Sequence, residues 1–159
     1  MELNKYITNI VTIWDLSSDS FVSQCHHIID LMTTDSLLKK WILKLLKEKE
    51  SVELYRDKKH GFVLTAYTEE FGQYRVPHNH GNGWVIYSVV SGEMEMGSYD
   101  QNLYLINFDR IHSGSSRVYF PGDIHDTRCL SQEVVILRFT SCDLKVEEKE
   151  GRMKRFALN

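Results

Sequence analysis

The segment Pro77-His78-Asn79-His80-Gly81-Asn82-Gly83-Trp84 sets two histidines one residue apart. On an extended strand, residues i and i+2 share a face about 6.6 Å apart, so these two imidazoles can converge on one ion. An HxH pair alone is explained as readily by solvent-facing or capped histidines as by a metal. A third donor is needed, and Tyr119-Phe120-Pro121-Gly122-Asp123-Ile124-His125 supplies it: a tight Pro/Gly turn that delivers a histidine at the start of a strand. His78, His80 and His125 are therefore the candidate metal ligands.

The chain around these segments reads as short strands. From residue 52 onward, stretches rich in Val, Ile, Tyr and Phe alternate with Gly, Asn, Asp and Ser, the pattern of a β-sandwich or barrel. Strands are expected near 52–56, 61–68, 73–79, 84–91, 93–99, 102–108, 116–120, 125–129 and 133–140. Upstream, Phe21, Val22, Cys25, Ile28, Ile29 and Met32 form one helical stripe over 18–33, with Ser18 or Asp19 available as a cap. A second helix starts near Thr34 or Asp35 and carries Leu37, Leu38, Trp41, Ile42, Leu45 and Leu46. Residues 143–159 are polar and of mixed charge, and are expected to form a loosely docked extension. No repeat, low-complexity tract or linker marks a second domain.

The histidine segments resemble the two motifs of the cupin superfamily. The first motif pairs HxH with a glycine, here Gly92, and the second is a Pro/Gly turn leading to a histidine, here PGDIH at 121–125. The resemblance implies an all-β fold with N-terminal helices: a single cupin (jelly-roll) β-barrel over 51–143, a helical segment 1–50 packed on it, and the extension 144–159. The first motif usually carries a glutamate ligand five residues after its second histidine, where this chain has Val85. The implied site is thus three neutral histidines, which leave a divalent ion its full charge and several open positions.

Lack of that glutamate is a property of the thiol dioxygenases, the cysteine dioxygenase family, and the resemblance extends over roughly residues 50–143. It looks closer to a set of small bacterial cysteine-dioxygenase-like cupins of unassigned substrate, on YRDKKHGF (55–62), HNHGNGWVIYSVVSGEME (78–95) and LRFTSCDL (137–144). By that resemblance Arg56 takes the position of the carboxylate anchor, a role suited to a forked, permanently charged guanidinium. The alternative is a solvated arginine beside Asp57. The family's Ser-x-His-x-Tyr triad would fall on Ile136-Leu137-Arg138-Phe139-Thr140 and is absent, as is its cross-linking cysteine, replaced by Val85.

Alternation on that last strand puts Val135, Leu137 and Phe139 on one face and Ile136, Arg138 and Thr140 on the other. Arg138 is a second candidate anchor, since a charge facing the cavity is costly unless an acid or an anionic substrate meets it. Val85, Tyr87 and Val89 share a face that should line the cavity, where the Tyr87 hydroxyl could meet a ligand. His60 and His112 are read as surface residues.

Composition narrows the function classes. The 159 residues are 42% hydrophobic and 26% charged with a formal net charge of −3, a globular balance with no basic field for nucleic acid. The Lys-rich stretch 39–49 reads as the solvated face of a helix. Cys25, Cys129 and Cys142 show neither disulfide-framework nor zinc-finger spacing. The longest uncharged apolar run, 84–91, is too short for a membrane span, the first residues show no signal pattern, and cytoplasmic is the default location.

These readings converge on an iron-dependent dioxygenase-like cupin, with Fe(II) as the expected metal and Zn, Mn or Ni as alternatives. Its expected partners are a small carboxylate- or thiol-containing substrate and O2, with no nucleic acid or membrane partner and a homodimer as the oligomeric guess. The competing classes are a non-enzymatic metal- or ligand-binding cupin and a Zn/Mn isomerase or hydrolase.

Overall fold

Three helices open the chain in a computed structural model that describes residues 2–16 and 19–158: α1 (Glu2–Leu16), α2 (Phe21–Thr34) and α3 (Ser36–Leu45). On α1, Leu3, Tyr6, Ile7 and Ile10 are buried, a spacing of three and four residues that makes one apolar stripe. On α2 the buried stripe is Cys25, Ile28, Ile29 and Met32. That helix begins at Phe21, after Ser20, so the expected start is displaced by about one turn; Ser18 lies outside the described residues. Asp35 caps α3 by accepting from the backbone N–H groups of Leu37 and Leu38 at 3.0 and 3.1 Å. Leu37 itself is exposed, and Leu38 and Ile42 face inward. Among the described residues no helix is long and apolar enough to cross a membrane.

Nine strands follow: β1 (Ser51–Arg56), β2 (Val63–Glu70), β3 (Tyr74–His78), β4 (Val85–Ser91), β5 (Glu93–Tyr99), β6 (Leu105–His112), β7 (Ser116–Tyr119), β8 (Ile124–Cys129) and β9 (Glu133–Thr140). They form two antiparallel sheets, in the orders β1-β2-β9-β4-β7 and β3-β8-β5-β6. Among the described residues no strand pairing joins the sheets, so the expected closed barrel is an open two-sheet sandwich. The sheets meet through side chains: Tyr67, Val85, Tyr87, Val89 and Ile136 of one pack with Met94, Met96 and Ile111 of the other. The outer face of the five-stranded sheet packs Leu64, Ile86, Leu137 and Phe139 against the three helices.

Two boundaries moved for local reasons. Strand β6 starts at Leu105 rather than 102, because Asp100 accepts from the N–H groups of Asn102 and Tyr104 and closes a turn with Leu103 at φ 66°. Between β4 and β5 the chain turns at Gly92, φ 87°, where a Cβ would collide with the Glu133 carbonyl. Only glycine fits there.

The end of the chain is not loosely docked. A short helix α4 (Leu144–Lys149) leads into a strap that crosses the end of β3: Asn79 N–H donates to the Lys154 carbonyl, Phe156 N–H donates to the Pro77 carbonyl, and Arg155 bridges His78. The buried Glu147 accepts from Asn82 N–H at 2.9 Å and from two Arg152 nitrogens at 2.8 Å, closing the junction. A Cβ on Gly81, at φ 61°, would strike that carboxylate. Backbone bonds to the end of β3 and charge-assisted bonds to a buried acid hold the strap, which is why its polar sequence reads as loose.

Candidate metal centre

Strand β3 ends on His78, and β8 sets His125 directly opposite it as its Cα partner. His80 lies just beyond the strand, in the turn that leads to β4, so strand alternation alone does not aim the HxH pair. The turn folds His80 back instead. Ring centroids are 5.1 Å apart for His78 and His80, 4.6 Å for His78 and His125, and 5.0 Å for His80 and His125. All three residues are buried, and one nitrogen from each lies within 4.8 Å of the others.

The hydrogen bonds determine what this group can hold. Nδ1 of His78 donates to the Val76 carbonyl at 2.8 Å, since a carbonyl only accepts, and this leaves Nε2 with its lone pair. Nε2 of His80 and Nε2 of His125 face one another at 3.3 Å. Nδ1 of both residues is buried with no hydrogen-bond partner. With neutral rings, either one Nε2–H donates to the other Nε2 or both Nε2 lone pairs face a cation. Burial and the neighbouring imidazoles keep the rings uncharged: His80 is pushed down to about 3, His125 well below its usual value, and His78 downward despite the Val76 carbonyl. Three neutral imidazoles in a dry site suit a transition metal, whose nitrogen bonds of about 2.1 Å set neighbouring donors about 3 Å apart. The group can hold a metal ion.

Neighbouring tyrosines fix the rings. The Tyr119 ring stacks on His125 at 3.9 Å, and the Tyr87 hydroxyl lies 3.0 Å from His80 Nε2. Burial pushes the Tyr87 hydroxyl upward, with Arg138 opposing, so it stays a neutral hydrogen-bonding group. Val85 is fully buried on the inner face and offers no ligand atom.

A cavity of about 310 Å³ opens beside His78, with Tyr87 and Arg138 in its wall. Arg138 lies next to Tyr87 across the β4/β9 pair, and its guanidinium sits over the Tyr67 ring at 5.3 Å. It makes no ion pair among the described residues, and its buried Nε has no hydrogen-bond partner.

The candidate residues separate. Tyr87 and Arg138 join the histidines. Arg56 does not: Glu53 holds its Nε and Nη2 at 2.9 and 2.7 Å, Asp143 holds its Nη1 at 2.5 Å, and it is absent from the cavity wall. Arg56 ties the end of β1 to the start of α4. His60 is not a surface residue but tucks against Trp14 at 5.8 Å with Nε2 3.1 Å from Asp15, whereas His112 is exposed. Two buried residues around the site escaped the sequence reading. Glu69, 1% exposed, faces inward on β2 and pairs with Arg75 of β3. Its signal was an acid two residues from Tyr67 on the same strand face. Tyr119 was quoted only as part of the turn motif, though as the last residue of β7 it lies one pleat from the turn.

No family description and no curated protein matches this sequence. Solved structures do. The chain is similar to the cupin domain of Schizosaccharomyces pombe Cnp3, at 10% identity and TM-score 0.51 over 64% of this chain and 66% of that one. It is similar to KdgF from Halomonas sp., at 16% identity and TM-score 0.50 over 57% and 74%. A third is the DMSP lyase DddQ from Ruegeria pomeroyi, at 19% identity and TM-score 0.50 over 60% of this chain and 47% of the lyase. The chain thus spans just under two thirds of the yeast domain and about half of the lyase. These likenesses show the fold, the double-stranded β-helix of the cupins.

Proposed function

We propose that this cupin is a non-haem iron(II) dioxygenase of the cysteine-dioxygenase-like kind, acting on a small carboxylate- or thiol-containing molecule through His78, His80 and His125. One observation carries the reading: a buried, neutral three-histidine group lies beside a cavity whose wall presents Arg138, a guanidinium with no ion pair among the described residues. His78, His80 and His125 would hold the iron(II), which would supply Lewis acidity and redox chemistry toward a small thiol or carboxylate and O2.

The chain's own residues do the rest. Arg138 binds the substrate carboxylate through its fork and orients the reacting end toward the histidines. The Tyr87 hydroxyl, 3.0 Å from His80 Nε2, offers a hydrogen bond to that end. Val85, Val89, Met94 and Met96 line the interior with apolar surface and exclude water, which strengthens each of these charged contacts. A zinc or manganese isomerase or hydrolase is the second reading. The same Tyr87 hydroxyl favours it, as a group placed to pass a proton in an isomerisation or hydrolysis.

The test is metal analysis of anaerobically purified protein, followed by oxygen-electrode screening against thiols, β-diketones and small carboxylates. The proposal expects stoichiometric iron and substrate-dependent O2 consumption. Stoichiometric iron without O2 uptake excludes the dioxygenase. Zinc or manganese with turnover under nitrogen moves the assignment to the second reading.

A further inference from the structure

Three guanidiniums from three separate elements line the cavity: Arg75 on β3, Arg138 on β9 and Arg155 on the C-terminal strap. No carboxylate lines it among the described residues. Their counter-charges differ in kind. Arg75 is neutralised by the fully buried Glu69 side chain, and it brings donors to the wall but no net charge. Arg138 has no ion pair, and its Nε is without a partner. Arg155 pairs with Glu148, but both side chains are more than half exposed, at 53% and 52%. An exposed pair of this kind contributes little and exchanges readily for another anion.

The strap fixes where Arg155 stands. Its backbone bridges His78, and the flanking bonds from Asn79 N–H to the Lys154 carbonyl and from Phe156 N–H to the Pro77 carbonyl hold it in register across the end of β3. One cation in the wall thus has no ion pair among the described residues, and a second, carried on the strap, holds only a solvent-exposed partner. A cavity of about 310 Å³ suits a small molecule.

We propose that the cavity takes a small dicarboxylate, one carboxylate held by Arg138 and the other by Arg155 of the strap. Arg155 is then a specificity-determining residue that separates dianions from monoanions. The inference rests on the reading of the site as a substrate cavity, but it does not depend on the identity of the metal or on turnover.

Calorimetric titration of the full chain, metal-free and zinc-loaded, with succinate and with propionate at matched ionic strength tests it. Succinate is expected to bind at least about tenfold more tightly than propionate, the scale of one added charge-assisted contact. Arg155→Gln should remove that advantage and leave propionate within twofold of its original affinity, while Arg155→Lys should restore part of it. Arg138→Met should weaken both anions. Circular dichroism checks that each variant is folded. Equal affinities for the two anions in the unmodified chain, or an Arg155→Gln variant that weakens both alike or neither, overturns the dicarboxylate assignment alone. A chain that loads zinc but binds neither anion overturns the carboxylate cavity with it, and one that takes up no metal overturns the site.

Discussion

The two faces of the five-stranded sheet are built from the same strands and serve opposite ends. On β9, Val135, Leu137 and Phe139 point outward into the helix-covered core, while Val134, Ile136 and Arg138 point inward. On β4, Ile86 and Val90 face the helices and Val85, Tyr87 and Val89 face the histidines. The outer face is apolar and closely packed, with Phe62, Phe139, Trp84 and Trp14 in mutual ring contact at 5.1 to 6.1 Å. The space that the inner face encloses with the second sheet keeps Glu69 Oε2, His80 Nδ1, His125 Nδ1 and Arg138 Nε buried without partners. Unmet buried polar groups cost stability, and fall here on the side that holds the metal-competent group. The difference teaches that the helices and the outer face hold the fold, and that the inner face is free to be shaped by its ligand.

The largest effect expected from breaking this division lies on the outer face. Phe139→Ala removes a fully buried ring and should cost about 3–5 kcal/mol in denaturant unfolding. Metal content of the folded fraction should be unchanged, because Phe139 touches the helix side. A loss below about 1 kcal/mol would mean that the helices do not carry the fold.

Acid should act on the inner face. A histidine whose folded value lies below its unfolded value binds its proton more readily once unfolded, so its contribution is complete above about pH 6.5 and is lost as pH falls toward the folded value. For His80 that window runs from about 6.5 down to about 3. Metal-free protein should therefore lose about 1.4 kcal/mol per pH unit below pH 6 for each histidine that stays neutral in the fold. A flat stability profile between pH 6.5 and 5 would contradict the burial of the group.

The smallest effect on stability belongs to Arg138. Replacing it with Met removes an unpaired charge from the inner wall, and unfolding should shift by no more than about 1 kcal/mol, in either direction. Carboxylate binding should fall by at least about tenfold. Strong destabilisation with binding intact would make Arg138 a structural residue.

The division between faces was partly legible in the sequence. Period-two alternation placed Arg138 and Tyr87 on the inner face, and all nine strands were anticipated within a few residues, because strand pattern and turn residues are local signals. The histidines were legible through spacing and turn chemistry, though His80 reaches the group from a turn rather than from the strand. The open sandwich was not legible, since barrel closure depends on whether distant edges pair. Arg56 was assigned by position in a related pattern, but Glu53 and Asp143 engage it, and Asp143 is a long-range partner. Helix α1 fell within the expected helical segment 1–50 but was given no range of its own, although Leu3, Tyr6, Ile7 and Ile10 carry a helical period. The strap was misread because its anchors, Glu147 and Asn79, bond across the fold, and nothing in a polar tail announces such partners.

The central claim is that His78, His80 and His125 together bind one metal ion. Anaerobic reconstitution followed by elemental analysis of the unmodified chain and of His125→Ala tests it most directly. The account predicts one equivalent of metal per chain for the first and less than about a tenth of that for the second, with the variant still folded by circular dichroism. Full occupancy in His125→Ala, or an unmodified chain that takes up no metal at all, would contradict it.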